Sequence, residues 1–192
     1  MKRTLALLVL SLLIFAPLSA RAQEAKTTPN PHPENFDDLG MHFTAPPNFR
    51  SIFQKNGLTV NDLADPAVVA AWGAAKNGHP ISIFLSQQAF SGALPAFEQQ
   101  FSQQMRDQGG DGSLIRNRQD THLKNGMPAR YMELTSGEGF DVRKTYVEIW
   151  VDGYRGCAII LNTALNDADE KTAKSYFADL SAVQYPYNRE QP

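Results

Sequence analysis

Short apolar or alternating segments, separated by turn dipeptides, run along most of the chain. The turn pairs are Asn56-Gly57, Asn77-Gly78, Asn125-Gly126 and Asp152-Gly153. Such pairs supply the positive φ angles that tight antiparallel hairpins need. The sequence therefore predicts a meandering antiparallel sheet, with strands at 39–45, 49–54, 58–62, 68–75, 81–87, 114–122, 128–136, 142–151 and 154–163.

The segment 142–151 has the clearest period of two. One face carries Thr145, Val147, Ile149 and Val151, and the other carries Lys144, Tyr146, Glu148 and Trp150. Because successive side chains of a strand point to opposite faces, we expect Val147 and Ile149 to lie in the core. The second face is either wetter or covered by a neighbouring element.

Two segments have the period of an amphipathic helix. Their apolar stripes are Leu94, Phe97, Phe101 and Met105 within 94–107, and Ala173, Tyr176, Phe177 and Leu180 within 167–182. Asn166 or Asp167 can cap the second helix. Because each stripe needs a sheet face to cover it, the sequence predicts one α+β domain over 37–187, an antiparallel sheet flanked by helices.

The first 22 residues have the three parts of a secretory signal peptide. Lys2 and Arg3 give a positive start, residues 5–15 are apolar apart from Ser11, and Ala20-Arg21-Ala22 places small residues before the expected cut. This apolar run is shorter than the roughly 20 residues that a spanning helix needs. We therefore expect cleavage before Gln23, secretion to the bacterial periplasm and no stable membrane insertion of the mature chain.

Residues 23–36 contain Pro29, Pro31 and Pro33 among polar neighbours. A proline-containing polar stretch next to a folded domain is typical of an extended linker. We therefore predict a flexible tether between the cleavage site and the domain.

Composition and charge narrow the class of partner. Without the leader the chain has 15 basic and 20 acidic residues, a net charge of −5. A mildly acidic domain lacks the basic patch that nucleic-acid binding requires, so no nucleic-acid partner is expected. The single cysteine, Cys157, cannot form an internal disulfide and lies in an apolar segment. We therefore expect it to be a buried small hydrophobic residue.

No residue pattern indicates a catalytic, metal or cofactor site. The four histidines are widely spaced along the chain: His32, His42, His79 and His122. The glycine-rich segment 109–112 follows a helix, whereas a phosphate-binding loop precedes one. Glu138 and Asp141 could form a pair of carboxylates for acid–base catalysis, but two such residues in one loop are more often simply solvated. We therefore predict no catalytic residue, no metal, no cofactor and no enzymatic activity.

One group of aromatic residues could form an interaction surface. Tyr146 and Trp150 share the less apolar face of their strand, and Tyr154 follows the Asp152-Gly153 turn. Aromatic residues with polar groups are enriched at interaction surfaces. In the alternative interpretation a helix covers this face and the rings belong to the core.

The order of three segments suggests a known fold. An opening segment (39–49, LGMHFTAPPNF) is followed by a small turn (126–131, GMPARY) and by a strand–turn–strand–helix ending before Ser181. This order resembles the PsbP-like fold of an extrinsic photosystem subunit, of bacterial DcrB-type periplasmic proteins and of a Ran-binding nuclear import factor. The resemblance implies an αβα sandwich and members that mostly bind proteins and are not established as enzymes. It assigns no functional residue, and the lipid-anchoring cysteine frequent in DcrB-type proteins is absent from this sequence.

Two functional hypotheses remain. The leading one is a secreted, non-catalytic interaction or accessory protein with an envelope or secreted partner. The second is a periplasmic small-molecule carrier or enzyme with a pocket beneath one helix.

Overall fold

Ten strands arranged in two antiparallel sheets make up most of the described residues. The larger sheet consists of β3 (Arg50–Gln54), β4 (Ala67–Lys76), β5 (His79–Ala89), β6 (Leu114–His122), β7 (Pro128–Ser136), β8 (Arg143–Val151) and β9 (Arg155–Ala164). Their spatial order is β3-β4-β5-β9-β8-β7-β6. The smaller sheet consists of β1 (Pro33–Phe36), β2 (Met41–Thr44) and β10 (Ser181–Ala182), in the order β1-β2-β10.

The computed structural model describes residues 33–36, 40–54, 67–76, 78–109, 114–136, 143–164 and 168–182. Within these, only the backbone is described for 33–36, 53, 54, 67, 108, 109, 114 and 164. All of them belong to one compact unit, Pro31–Pro192, and the other unit, Met1–Asn30, lies outside the described residues. The predicted signal peptide, the strand at 58–62, the Glu138 and Asp141 loop and the caps Asn166 and Asp167 also lie outside them.

Eight of the nine predicted strands are present within the described residues, most of them within two residues of the predicted bounds. The turn glycines explain this accuracy, because Gly78 (φ 81°) and Gly153 (φ 93°) adopt the left-handed conformation that their hairpins require. One difference lies at the start of the domain. The last four residues of the predicted tether form β1, which pairs with β2.

Two helices accompany the sheets in the described part of the chain. Helix α1 spans Leu94–Gly109, close to its predicted extent. Helix α2 spans only Glu170–Phe177 and begins later than predicted, because Asp169 is its N-cap and its side chain accepts a hydrogen bond from the Thr172 backbone N–H. Its predicted final turn is absent, since Ser181 and Ala182 form β10 and pair with β2.

The predicted αβα sandwich is wrong, because the described residues are mainly β. Helix α1 covers one face of the larger sheet, over β7 and β8. The opposite face is covered by the eight-residue helix α2 together with residues of the smaller sheet. Met41, Phe43 and Ala182 belong to the core on that side, where a second long helix was expected.

Both faces of the larger sheet are buried along β8. Val147 and Ile149 lie in the core beneath α1, as predicted, with Phe97, Phe101, Met132, Leu134 and Ala158. The face that the alternation left undecided is also buried and includes Tyr146 and Trp150. Among the helices of the described segments, none is long and apolar enough to cross a membrane.

Candidate functional site

The three aromatic residues predicted as an interaction surface do not form one. Tyr146 and Trp150 are 0% exposed and belong to the core, and Tyr154 is partly buried. The Tyr146 hydroxyl donates a hydrogen bond of 2.8 Å to the Ala168 carbonyl oxygen, just before α2. The segment leading into α2 therefore covers this face, and the surface interpretation is corrected to a core one.

Strand register instead brings two tyrosines and two glutamates together on the sheet face beneath α2. In the β7–β8 pair Tyr131 lies opposite Glu148, and Glu133 lies opposite Tyr146. Directly opposite residues of antiparallel strands have Cβ atoms about 4.5–5.5 Å apart, and residues two apart share a face. The four side chains therefore alternate at the corners of a square, which we call the Tyr–Glu square.

A sequence signal for this arrangement exists. The triplets Tyr131-Met132-Glu133 and Tyr146-Val147-Glu148 both have the form Tyr-x-Glu, and they lie in consecutive strands. In an antiparallel pair, two such triplets aligned end to end place each tyrosine opposite a glutamate. The periodicity of each strand taken separately shows only that tyrosine and glutamate share a face.

Both carboxylates of the square are buried and have partners. Glu133 accepts a 2.7 Å hydrogen bond from the Asn117 side-chain amide and lies 3.3 Å from the Lys144 ammonium. Glu148 accepts a 2.7 Å hydrogen bond from the Thr121 hydroxyl. Burial raises the pKa of Glu148, and the Thr121 hydrogen bond only partly opposes this. These contacts fix the positions of both carboxylates.

The Tyr131 hydroxyl differs from the Glu133 and Glu148 carboxylates. Tyr131 is 1% exposed, and its hydroxyl has no hydrogen-bond partner among the described residues. Burial raises its pKa, and the nearby negative charges of Glu170, Glu133 and Glu148 raise it further, so the phenol stays protonated. Leaving a buried polar group without a partner costs about 1–3 kcal/mol. A molecule that supplied the missing hydrogen bond would recover part of that free energy.

The rim of the square is formed by α2 and the edge strand β6. The Lys174 ammonium lies 4.8 Å from the centre of the Tyr131 ring, 2.9 Å from a Glu170 carboxylate oxygen and 2.5 Å from the Gln119 amide oxygen. The side chains of Lys174 and Glu170 are 39% and 38% exposed. The square is therefore closed beneath the helix and reaches solvent along this rim.

Replacement of Glu148 with Gln should change stability in a pH-dependent way. The pKa of Glu148 is raised in the folded state, so its contribution to stability is fully present below the ordinary value of 4.5 and is lost as pH rises through the folded-state pKa. We therefore expect the free energy of unfolding of Glu148→Gln, relative to that of wild type, to be higher at pH 7 than at pH 4. Urea unfolding at the two pH values measures this difference.

Glu170→Gln is the matched control with the opposite sign. Hydrogen bonds from Lys174 and Gln119 lower the pKa of Glu170, so its contribution is present above the ordinary pKa and is lost as pH falls. The free energy of unfolding of this variant, relative to that of wild type, should be lower at pH 7 than at pH 4. The same pH trend for both variants would contradict the burial described for Glu148.

Two other buried ionic groups connect parts of the fold. In the β8–β9 turn Asp152 and Arg155 form a buried ion pair, and Arg155 also donates a 3.5 Å hydrogen bond to Gln87 of β5. Glu98 of α1 lies 2.5 Å from Arg130 of β7 and 2.5 Å from Arg118 of β6. The first pair holds a turn against a neighbouring strand, and the second group holds a helix on the sheet. Both arrangements are structural.

The edges of the larger sheet are poorly suited to pairing with another strand. Register shifts interrupt β3 between Ser51 and Phe53, and β6 between Arg116 and Gln119. Asn117, within the second shift, has φ 47°. Bulges of this kind twist a strand and discourage edge-to-edge pairing. The face beneath α2 is therefore a better candidate for binding than either edge.

Among the described residues, those considered for metal or thiol chemistry do not form a metal or reactive-thiol site. Within the segments that the structure describes, no group of three or more His, Cys, Asp or Glu could hold a metal ion. Cys157 is fully buried, and burial raises its pKa well above the ordinary value. A buried protonated thiol is a packing residue.

The likeness of this chain to known proteins is distant and is one of structure. No protein-family model and no curated protein matches the chain. The structure is similar to the crystal structure of LpqN, which is involved in cell envelope biogenesis of Mycobacterium tuberculosis, with 14% identity, a TM-score of 0.46 and coverage of 72% of this chain and 79% of that one. A likeness this distant assigns no function to this chain, and it does not confirm the resemblance to the PsbP-like fold.

Proposed function

We propose that this chain is an exported, non-catalytic accessory protein of the cell envelope, which acts by binding another molecule beneath helix α2. The observation that carries the proposal is the Tyr131 hydroxyl, which is buried and has no partner among the described residues. It lies beside carboxylates that are already hydrogen-bonded. Such a group can recognise a polar atom of a ligand without reacting with it.

The extracytoplasmic location rests on the leader sequence. A basic start, an apolar segment and the small residues of Ala20-Arg21-Ala22 favour export and processing. An envelope component is therefore the expected class of partner, and nucleic acid is not.

Export gives a direct prediction. The full chain, expressed with a C-terminal tag in a bacterium with two membranes, should be recovered by osmotic shock with Gln23 as its first residue. Signal peptidase cleaves after small residues at the last and third-last positions of a leader, here Ala22 and Ala20. N-terminal sequencing makes the measurement, and a membrane-bound product that retains Met1 would contradict it.

In-cell photo-crosslinking tests the binding role. A photoreactive amino acid at position 171 lies on the exposed side of α2, next to Glu170 of the rim, and the same amino acid at position 99 lies on the exposed side of α1 as the control. We expect an adduct from position 171, lost when Tyr131→Phe is combined with it, and none from position 99. Equal adducts from both positions, or none from position 171, would contradict the proposal.

The carrier hypothesis is a second candidate, and the same hydroxyl favours it. A buried site with a few convergent polar groups suits a small molecule better than a flat protein surface does. The mass of the crosslinked adduct separates the two candidates, because a carrier gains a few hundred daltons and an accessory protein gains a polypeptide.

The non-catalytic part of the proposal has its own test. Glu148 is the carboxyl of the square with a raised pKa, so it is the residue that acid–base catalysis would use. Hydrolysis of a panel of ester, glycoside and peptide substrates should be absent for wild type. Hydrolysis that Glu148→Gln abolishes would replace the binding role with an enzymatic one.

A further inference from the structure

The ammonium of Lys174 shows what kind of group fits the rim of the square. It makes three contacts at once: the face of the Tyr131 ring at 4.8 Å, the Glu170 carboxylate at 2.9 Å and the Gln119 amide oxygen at 2.5 Å. A cation over an aromatic ring is attracted by the negative face of the ring. An ammonium also donates three hydrogen bonds, which oxygen acceptors such as these can receive.

The surroundings favour a positive charge beyond the one that Lys174 supplies. The carboxylates of Glu170, Glu133 and Glu148 all act on the Tyr131 phenol. The ammonium groups of Lys174 and Lys144 neutralise part of this negative charge. The hydroxyl of Tyr131, which is buried and has no partner among the described residues, is a further acceptor for an N–H donor.

An ammonium group suits this arrangement better than a metal ion does. The Glu133 and Glu148 carboxylates are engaged by Asn117, Lys144 and Thr121, which limits their use as metal ligands. The described residues contain no group of three or more side chains able to hold a metal. The aromatic face recognises an organic cation, whereas a divalent metal requires several oxygen ligands.

The ammonium group of Lys174 can move away from its three contacts at the rim. Its side chain is 39% exposed, and its flexible stem can carry the ammonium into water. A ligand that brings its own ammonium can then take over the same three contacts.

We propose that the rim between α2 and β6 is a binding site for a primary ammonium group of a small organic ligand, and that Lys174 fills the site in the unliganded protein. This inference rests on the proposed binding function and names the chemical class of the ligand. The ligand is recognised by its N–H donors and its charge, through the ring of Tyr131, the carboxylate of Glu170 and the amide of Gln119.

Removal of the internal ammonium gives the test. In Lys174→Ala the three contact groups are left for an added amine, and n-propylammonium chloride is the probe. We expect a saturating rise in melting temperature, about 3–6 °C at ten times the dissociation constant, above that given by sodium chloride at equal concentration. Lys171→Ala, which removes an exposed lysine of the same helix, is the matched control and should respond only as it does to sodium chloride.

A second measurement needs no variant. In the NMR spectrum of the wild-type protein, n-propylammonium should shift the Gln119 side-chain amide signals in a saturable way and leave those of Gln103, an exposed residue of α1, unchanged. Equal responses of Lys174→Ala and Lys171→Ala, or no saturable shift at Gln119, would overturn the ammonium site. Such a failure would leave the photo-crosslinking result standing, because that experiment does not depend on the charge of the ligand.

Discussion

Replacement of Arg155 with Met is expected to destabilise the fold by about 3–5 kcal/mol, because it leaves the Asp152 carboxylate buried without its partner. Asp152 is 0% exposed and Arg155 is 3% exposed, so water cannot replace the lost ion pair. This is a large part of the roughly 5–15 kcal/mol that stabilises a domain of this size. Urea unfolding of both proteins measures this difference in the free energy of unfolding.

The effect should depend on pH. Burial raises the pKa of Asp152 to about 6 even with Arg155 present, and loss of the arginine should raise it further. A protonated Asp152 is less costly to bury, so the destabilisation should be smaller at pH 5 than at pH 8.

Two further variants test the cause of this effect. Asp152→Asn combined with Arg155→Met removes both charges and should recover part of the loss. Arg116→Met, at an exposed arginine of β6, should change stability by no more than about 0.5 kcal/mol. A loss from Arg155→Met as small as that from Arg116→Met would contradict a buried ion pair at this turn.

Replacement of Phe97 with Ala should also destabilise the protein by about 3–5 kcal/mol, because it opens a cavity between α1 and the sheet. Phe97 is fully buried and packs against Phe90 and Phe101, with ring centres 5.1 and 6.1 Å away. It also lies directly over Gly156 of β9, where a β-carbon would overlap its ring. The helix can approach the sheet closely at this point because residue 156 is a glycine.

This contact predicts strong coupling between the two positions. Gly156→Ala alone should cost about 1–3 kcal/mol, since the added methyl group must displace the ring of Phe97. In the Phe97→Ala background the same methyl group enters the cavity, and the double variant should be more stable than the sum of the two single effects predicts. Additive effects in urea unfolding would show that the ring does not rest on Gly156.

The parts of the fold that could be predicted from the sequence depend on local patterns. Period-two alternation and the glycines of the hairpin turns indicate where strands begin and end, and both are encoded within a few residues. The end of α2 could not be predicted in this way. Ser181 pairs with His42, which lies far away in the sequence, and this pairing replaces a final helical turn.

The predicted sandwich was wrong for the same reason. The apolar residues Met41 and Phe43 were assigned to a strand. The sequence does not show that this strand belongs to a separate small sheet, which includes β10 and covers one face of the larger sheet. A helix was expected on that face because helices usually cover sheets in α+β domains. Which element covers a face is a long-range property.

The candidate site depends on the register between β7 and β8. The alternation in β8 places Tyr146 and Glu148 on one face, which could be either wet or covered by a neighbouring element. Only the pairing with β7 shows that Tyr131 and Glu133 lie opposite them. Residues outside the square supply the partners of Glu133, Glu148 and Tyr146. The Tyr131 hydroxyl emerges as the exception only once all these contacts are known.

The most direct test of this account is whether the Tyr131 hydroxyl binds a ligand. Wild-type protein and Tyr131→Phe, exported and purified in parallel without denaturation, would be compared by native mass spectrometry. A single cooperative unfolding transition for each protein would first show that both are folded. We expect wild type to retain an additional mass and Tyr131→Phe to retain about tenfold less of it, the loss corresponding to one hydrogen bond. Retention of the same mass by both proteins, or of none by either, would contradict a binding role for the Tyr–Glu square.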